Sequence, residues 1–132
     1  MCNNNKCNCF DPTLKLIIEL QNKNECINEN DTCTKPYLGT NSVKYNTRPI
    51  SFYTCCSNRK FSMPYTLNGT NGTSNVFRCE SIDGCCCTCR VLAPNPNATS
   101  DLPYVATNNF FTMNLNQVGA LCCLNDTYVN CL

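Results

Sequence analysis

Histidine is absent from this chain of 132 residues. Its absence removes the usual general base, the Ser-His and Cys-His nucleophile pairs, and the mixed cysteine and histidine zinc sites. The sequence also has no glycine-rich phosphate loop and no paired acidic motif. We therefore expect a protein that is not an enzyme and needs no cofactor.

Charge is scarce, because only 14% of the residues are charged and the formal net charge is +1. Without a basic run, nucleic acid and anionic membranes are unfavourable partners. No apolar run approaches the roughly 18 residues of a membrane span, and the first residues lack the apolar segment of a signal peptide. We expect no membrane insertion and no signal peptide. The polar surface has to come from Asn and Thr, and such a neutral surface favours association.

Cysteine, in contrast, occurs fifteen times, a level at which a disulfide or metal scaffold is expected. Because the number is odd, at least one thiol must be free, bound to metal or bonded to another chain. A reducing cytosol keeps thiols reduced, whereas the sequence lacks an export signal. Either the thiols hold metal in the cytosol, or the protein meets oxidising surroundings after its cell lyses.

The densest cysteine pattern runs from Val76 to Leu92 and predicts two strands joined by a type I′ turn at Asp83 and Gly84. The predicted cross-strand pairs are Ile82 with Cys85, Glu80 with Cys87 and Arg78 with Cys89.

Cys85, Cys87 and Cys89 then form a row on one face, with neighbours roughly 6.5 to 7 Å apart. That spacing is too long for disulfides within the row, so the partners come from another layer, another molecule or a metal. Cys79 and Cys86 are diagonal neighbours on the opposite face and are candidates for an internal disulfide.

Two further patterns on the hairpin have structural interpretations. Arg78, Glu80 and Arg90 are predicted to form an exposed ion pair cluster rather than a catalytic group. The spacing of Cys87 and Cys89 occurs in thiolate metal clusters, but no CxxC pairs recur, and we predict no specific metal site.

The rest of the chain predicts one helix followed by short strands. Asp11 as N-cap and Pro12 at the first helical position start an amphipathic helix over residues 12–23. Strands are predicted at 50–56, 60–63, 104–106, 110–115 and 118–124, with polar loops at 66–75 and 93–101. This order predicts a mainly β fold, a small antiparallel β-sandwich or open barrel with one N-terminal amphipathic helix. Residues 1–10 are predicted to form a flexible cross-linking arm, with a disordered tail and incidental cysteines as the alternative, and 11–132 are predicted to form a single domain.

The remaining cysteines divide into internal and external candidates. Cys26 and Cys33 share a polar loop and either bond each other or reach the N-terminal arm. In the doublets at 55–56 and 122–123, strand alternation points one thiol to the core and the other outward. The candidates for intermolecular disulfides are Cys2, Cys7, Cys9, Cys56, Cys123 and Cys131.

Several stretches resemble the CotY/CotZ/ExsY family of cysteine-rich spore coat and exosporium proteins. The matching segments are Ile18-Glu-Leu-Gln21, Pro36-Tyr-Leu-Gly39, Asn46-Thr-Arg-Pro49 with Tyr53-Thr54, Phe77-Arg-Cys-Glu-Ser-Ile-Asp83 and Arg90-Val-Leu92. The end of the chain, Phe111 to Leu124, is similar in pattern. The resemblance spans most of residues 14–124, and the order and spacing of the motifs make chance a poor explanation.

The resemblance implies a structural protein that self-assembles into roughly hexagonal two-dimensional sheets of the outer spore layers, locked by intermolecular disulfides. Its implied partners are copies of itself, as hexamers that tile, and other coat or exosporium proteins. It also implies synthesis in the mother-cell cytoplasm and a final location on the spore surface. Two alternatives stay open: a cytosolic thiolate metal-binding or redox-buffering protein, and a secreted disulfide-rich ligand or inhibitor.

Overall fold

The structure, a computed structural model, describes residues 10–25, 45–55, 59–130 and 132. The described elements are α1 (Phe10–Glu25), β1 (Ile50–Thr54), β2 (Met63–Leu67), β3 (Thr70–Ser74), β4 (Val76–Asp83), β5 (Cys86–Pro94), β6 (Tyr104–Asn114), a 3₁₀ turn (Leu115–Gln117) and β7 (Val118–Cys123). The predicted class is confirmed: over the described residues the fold is mainly β, with one N-terminal helix and two antiparallel sheets that do not close into a barrel, in the manner of a small β-sandwich.

The larger sheet has five antiparallel strands in the order β6, β5, β4, β1, β7. The smaller sheet is the hairpin of β2 and β3. The helix α1 packs against β4, while β2 contacts β5 and β6. Apolar side chains from both covering elements join those of the large sheet in one hydrophobic core.

Four phenylalanines form the aromatic centre of this core. The ring of Phe77 on β4 lies 4.8 Å from the ring of Phe111 in an edge-to-face arrangement and 5.9 Å from the ring of Phe52. Phe61, which precedes β2, contacts both Phe77 and Phe111. Such pairs add about 0.5 to 1.5 kcal/mol each beyond the burial of their area, so the strands are held in a fixed relation here.

The other face of β4 buries a charge, that of Arg78, whose exposed fraction is 1%. Its Nε donates to Thr47 Oγ1 at 3.0 Å, and its Nη2 donates to the carbonyl of Asn46 at 3.0 Å. Its Nη1 lies 2.7 Å from Glu80 Oε2. The prediction of an exposed cluster was wrong, because the segment around Thr47, itself bonded to Thr127, covers this face of the sheet.

Arg90 on β5 completes the charged network. Its Cα is the cross-strand partner of Arg78, so two like charges stand side by side. Glu80 Oε2 lies 3.3 Å from Arg90 Nε as well as against Arg78, and it therefore offsets their repulsion. The Arg90 guanidinium also lies 4.4 Å above the ring of Phe110.

The buried side chain of Gln21 on α1 takes the place of a missing backbone hydrogen bond between β4 and the segment that precedes β1. Ile50 pairs with Phe77. If this antiparallel register continued for two more residues, Arg48 would lie opposite Cys79. The two strands do not pair there. Instead, the backbone N–H of Arg48 donates to Gln21 Oε1 at 3.0 Å, and Gln21 Nε2 donates to the carbonyl of Cys79 at 2.8 Å. The amide satisfies both backbone groups and fixes the helix against the sheet.

The helix begins earlier than the sequence predicts. It starts at Phe10, so Asp11 lies within the first turn, where its carboxylate lies 3.2 Å from the ammonium of Lys15. Phe10 thus belongs to the helix and not to the predicted arm, whose other residues, 1–9, lie outside the described part of the chain. The carboxylate in the first turn also interacts favourably with the helix dipole.

One loop prediction was wrong, and two strands predicted separately are one. The stretch 66–75 forms the turn and second strand of a hairpin, because Asn68 and Gly69 both have positive φ, at 51° and 79°. That geometry is what a two-residue type I′ turn requires. The predicted short strand at 104–106 and the one at 110–115 are a single strand, β6, whose pairing with β5 shifts register between Arg90 and Leu92. No described helix has the length and apolar character needed to cross a membrane.

Replacing Gln21 with leucine should lower the free energy of unfolding by about 2 to 4 kcal/mol, because Arg48 N–H and the Cys79 carbonyl both lose their partner. Guanidinium denaturation followed by circular dichroism measures the loss. Asn22→Leu, at the exposed neighbouring position, is the matched control and should change the stability little. Equal losses for both variants would contradict the bridging role.

Replacing Glu80 with glutamine should destabilise the protein by about 2 to 4 kcal/mol, since it leaves the buried Arg78 without its counter-ion. The exposed pair of Arg48 and Asp126, with side chains 43% and 44% exposed, provides the control. Asp126→Asn should cost less than about 1 kcal/mol in the same denaturation experiment. A Glu80→Gln loss as small as that of Asp126→Asn would show that the buried network is dispensable.

Candidate functional site: buried and exposed thiols

The hairpin of β4 and β5 has a different register from the predicted one. Asp83 pairs with Cys86 and Ile82 with Cys87, so the turn lies at Gly84 and Cys85 rather than at Asp83 and Gly84. Gly84 has a φ of 60°, which glycine adopts without strain. Moving the turn by one residue changes the partner of every cysteine on β5.

A bulge at Glu80 then determines which face Cys79 occupies. The pairing shifts between Cys79 and Ser81, so Glu80 is an extra residue on β4, and beyond it Cys79 pairs with Cys89. Without the bulge Cys79 would share a face with Arg90. With it, Cys79 joins Cys87 and Cys89 on the core face.

The three cysteine side chains on this face form a compact cluster, which we call the buried trio: Cys79, Cys87 and Cys89. Their sulfur atoms all lie within 4.8 Å of one another, and all three residues are fully buried. Cys79 is disulfide-bonded to Cys87, with their Cα atoms 6.8 Å apart. The Sγ atoms of Cys87 and Cys89 are 3.5 Å apart. The sequence predicted a diagonal disulfide for Cys79 but with Cys86, and the register explains the error.

Cys89 is the thiol of the trio that stays unbonded. Burial raises the pKa of the Cys89 thiol, and the negative charge of Glu80 raises it further. The thiolate is the reactive form of cysteine, so Cys89 is held in its unreactive, protonated form at neutral pH. The folded protein holds the Cys89 proton more tightly than the unfolded chain does. The contribution of this thiol to the free energy of unfolding is therefore present below the ordinary thiol pKa and is lost as the pH rises above it.

The neighbouring cysteines of the hairpin, Cys85 and Cys86, do not belong to the buried trio. Cys85 and Cys86 are both disulfide-bonded, so the predicted pairing of Cys86 with Cys79 does not form. Cys85 is fully buried, and its carbonyl accepts a hydrogen bond from the backbone N–H of Leu115. The hairpin as a whole is therefore stabilised by cysteines along both of its strands.

Exposed thiols occur at the opposite edge of the large sheet, on the outermost strand β7. Cys122 and Cys123 are both exposed and not disulfide-bonded. Cys123 pairs with the core residue Ile50 and Cys122 with Ser51, so the two thiols point to opposite faces as predicted. Cys123 lies on the core face of the sheet and is nevertheless exposed, because the covering elements do not extend over the end of this edge strand.

A groove of about 400 Å³ lies between α1 and the end of β7, and Cys123 lines it. The helix contributes Leu16 and Leu20, which are 56% and 52% exposed. On its polar side Arg48 Nη1 donates to Asp126 Oδ1 at 2.9 Å. Hydrogen bonding to Asp126, and then to Cys123, raises the pKa of the Arg48 guanidinium, so a fixed positive charge stands beside this thiol.

Most of the cysteines predicted to cross-link lie outside the described residues. Of the intermolecular candidates, the structure describes Cys123 alone, and two further cysteines that the sequence did not single out, Cys55 and Cys122, are exposed as well. The intermolecular candidates that lie outside the described ranges are Cys2, Cys7, Cys9, Cys56 and Cys131. The internal candidates Cys26 and Cys33 lie outside them as well.

Comparison of the chain with protein families, with curated proteins and with solved structures finds no match. The resemblance described from the sequence motifs therefore stays a prediction.

Cys122 and Cys123 are exposed, whereas Cys89 is buried and protonated, so these thiols should react with an alkylating reagent at very different rates. At pH 8, iodoacetamide should modify Cys122 and Cys123 at least about 100-fold faster than Cys89, because a buried, protonated thiol reacts only when the structure opens. Mass spectrometry of proteolytic peptides measures the three rates. Unfolding in guanidinium should remove the difference. Rapid modification of Cys89 in the folded protein would contradict its burial.

Proposed function

We propose that the protein is a structural, non-enzymatic building block that self-assembles into disulfide-cross-linked two-dimensional arrays of the bacterial spore coat or exosporium. In this proposal its partners are copies of itself, in hexameric units that tile, and other proteins of the same layers. It is made in the mother cell and ends at the spore surface.

The observation that carries the proposal is the division of the described thiols into two groups. The buried trio and its disulfide lie in the core, where no neighbouring molecule reaches them. Cys122 and Cys123 lie exposed on an edge strand. Exposed thiols on a sheet edge are accessible to a second molecule, and oxidation of two such thiols joins the molecules covalently.

The surface beside Cys123 favours association before any bond forms. Leu16 and Leu20 of α1, together with Tyr45, are the large apolar side chains that flank the groove and are more than 40% exposed. Burying an apolar surface of this kind is favourable by roughly 25 cal/mol per Å². A neighbour seated here is held close to Cys123, which raises the rate of bond formation.

The segments that carry the family resemblance contact one another. Gln21 ends the first matching segment and bonds Arg48 of the third, and it also bonds Cys79 of the hairpin segment. Arg78 bonds Asn46 and lies against Glu80. These residues form one buried network, so their order in the sequence reflects a shared packing requirement.

A thiolate metal-binding or redox-buffering protein is the second candidate, because the sulfurs of the buried trio lie close enough to share an ion. That function predicts several zinc ions per chain and a fold that chelators destroy. A building block predicts a fold that survives chelators and an assembly that needs reductant to come apart.

Substitutions in the groove should separate docking from cross-linking. Negative-stain electron microscopy of the full chain should show ordered sheets or rings, and these should survive boiling in detergent unless reductant is added. Cys123→Ser should still assemble but should lose a large part of its detergent-resistant species on non-reducing gels. Leu20→Asp should prevent assembly even with reductant present, because it places a charge in the apolar contact.

The control for Leu20→Asp is Asn22→Asp, which adds the same charge to an exposed position of the same helix outside the groove and should assemble normally. A dispersed monomer with and without reductant would overturn the proposed function. Equal effects of the two aspartates would reject the groove as the contact surface.

A further inference from the structure

The buried trio contains three sulfur atoms that can bind a metal ion, and the disulfide between Cys79 and Cys87 involves two of them. Cys89 keeps its thiol, 3.5 Å from the sulfur of Cys87. Sequence spacing brings Cys87 and Cys89 together on one strand, and the bulge at Glu80 adds Cys79 from the neighbouring strand. The cluster therefore depends on the fold rather than on a linear motif.

We propose that the reduced protein binds one monovalent copper ion in the buried trio, through the sulfur atoms of Cys79, Cys87 and Cys89. The ion and the disulfide use the same sulfurs, so each excludes the other. This site is independent of the proposed assembly function.

The number and type of donors select the metal. Thiolate sulfur is a soft ligand that favours monovalent copper, zinc and iron-sulfur clusters. A structural zinc site takes four protein ligands, and a catalytic one takes three and a water. Among the described residues the cluster contains three ligands of the His, Cys, Asp and Glu types, and all three are fully buried, so neither a fourth ligand of these types nor a solvent-exposed position completes a zinc site. Monovalent copper accepts three sulfurs without a fourth ligand.

The surroundings suit a soft ion. The cross-strand neighbours on β6 are Met113 for Cys87 and Phe111 for Cys89. Met113 is buried, and its thioether is a further soft sulfur donor on the same face of the sheet.

The chemical steps balance without further groups from the protein. Reduction of the bond between Cys79 and Cys87 leaves three thiols. Two external thiols supply the two electrons and two protons and become a disulfide, or a phosphine supplies the two electrons and becomes its oxide, with the oxygen and the two protons coming from water. On binding copper, each coordinating sulfur releases its proton to solvent. In the reverse direction an external disulfide accepts the two electrons, takes two protons from solvent and leaves as two thiols, while the bond between Cys79 and Cys87 forms again, the ion is released and Cys89 regains a proton from solvent. The ion would thus join β4 to β5 in the reduced protein, as the disulfide joins them in the oxidised one.

The test uses the full chain with its accessible thiols blocked. The folded protein is reduced with a phosphine, its reactive cysteines are capped with iodoacetamide, and mass spectrometry identifies the thiols that remain. Copper in its monovalent form is then added anaerobically in competition with a chromogenic chelator. We expect Cys79, Cys87 and Cys89 to escape capping and the capped protein to bind one copper ion.

Variants test the assignment of the ligands. Cys89→Ser should weaken copper binding by more than about 100-fold, because even the loss of an outer partner of a ligand costs 10 to 100-fold. Cys122→Ser, an exposed cysteine outside the trio, is the matched control and should bind copper as the parent does.

X-ray absorption of the copper-loaded parent is a measurement that does not depend on the folding of any variant. It should show sulfur neighbours alone, at about the 2.3 Å known for metal-bound thiolates. Copper bound with oxygen or nitrogen neighbours, no copper bound, unchanged affinity in Cys89→Ser, or capping of the trio itself would each overturn the proposal. Preference for zinc over copper under the same conditions would overturn the identity of the metal.

Discussion

The buried guanidinium of Arg78 is the interaction on which the rest of this structure depends. It contacts the segment at Asn46 and Thr47 from one side and Glu80 from the other, and it therefore joins parts of the chain more than 30 residues apart in sequence. A buried cation is tolerated only when its donors are all satisfied. The chain from Tyr45 to Pro49 and the chain around Thr127 must both be in place before this condition holds, so the segment that precedes β1 and the segment that follows β7 order together.

Glu80 links this charged face to the thiol face. Its carboxylate is needed between two arginines, and its backbone is the extra residue that turns Cys79 toward the core. One residue thus fixes the electrostatics on one side of β4 and the cysteine arrangement on the other. The arrangement of Cys79, Cys87 and Cys89 depends on the bulge at Glu80. A substitution of Glu80 therefore affects both the charged face and the thiol face of β4.

The elements with a strong local signal were predictable, and those that depend on distant partners were not. The helix and the strand at Val118 follow from hydrophobic periodicity, and the opposite orientation of Cys122 and Cys123 follows from strand alternation. The bulge at Glu80 has no local signal, because its benefit comes from Arg78 and Arg90. The burial of Arg78 depends on a segment that lies about 30 residues earlier. Asn68 and Gly69 did carry a hairpin signal, but the polar residues around them favoured a loop.

The orientation of the two edge thiols has a consequence for connectivity. Cys122 and Cys123 are adjacent in sequence but point to opposite faces of β7, so two different neighbours can be bonded at this edge. Units with two links each can form only lines or closed rings. A continuous net needs units of higher valence, so a covalent sheet built from this protein requires at least one further bond per molecule from a cysteine elsewhere in the chain.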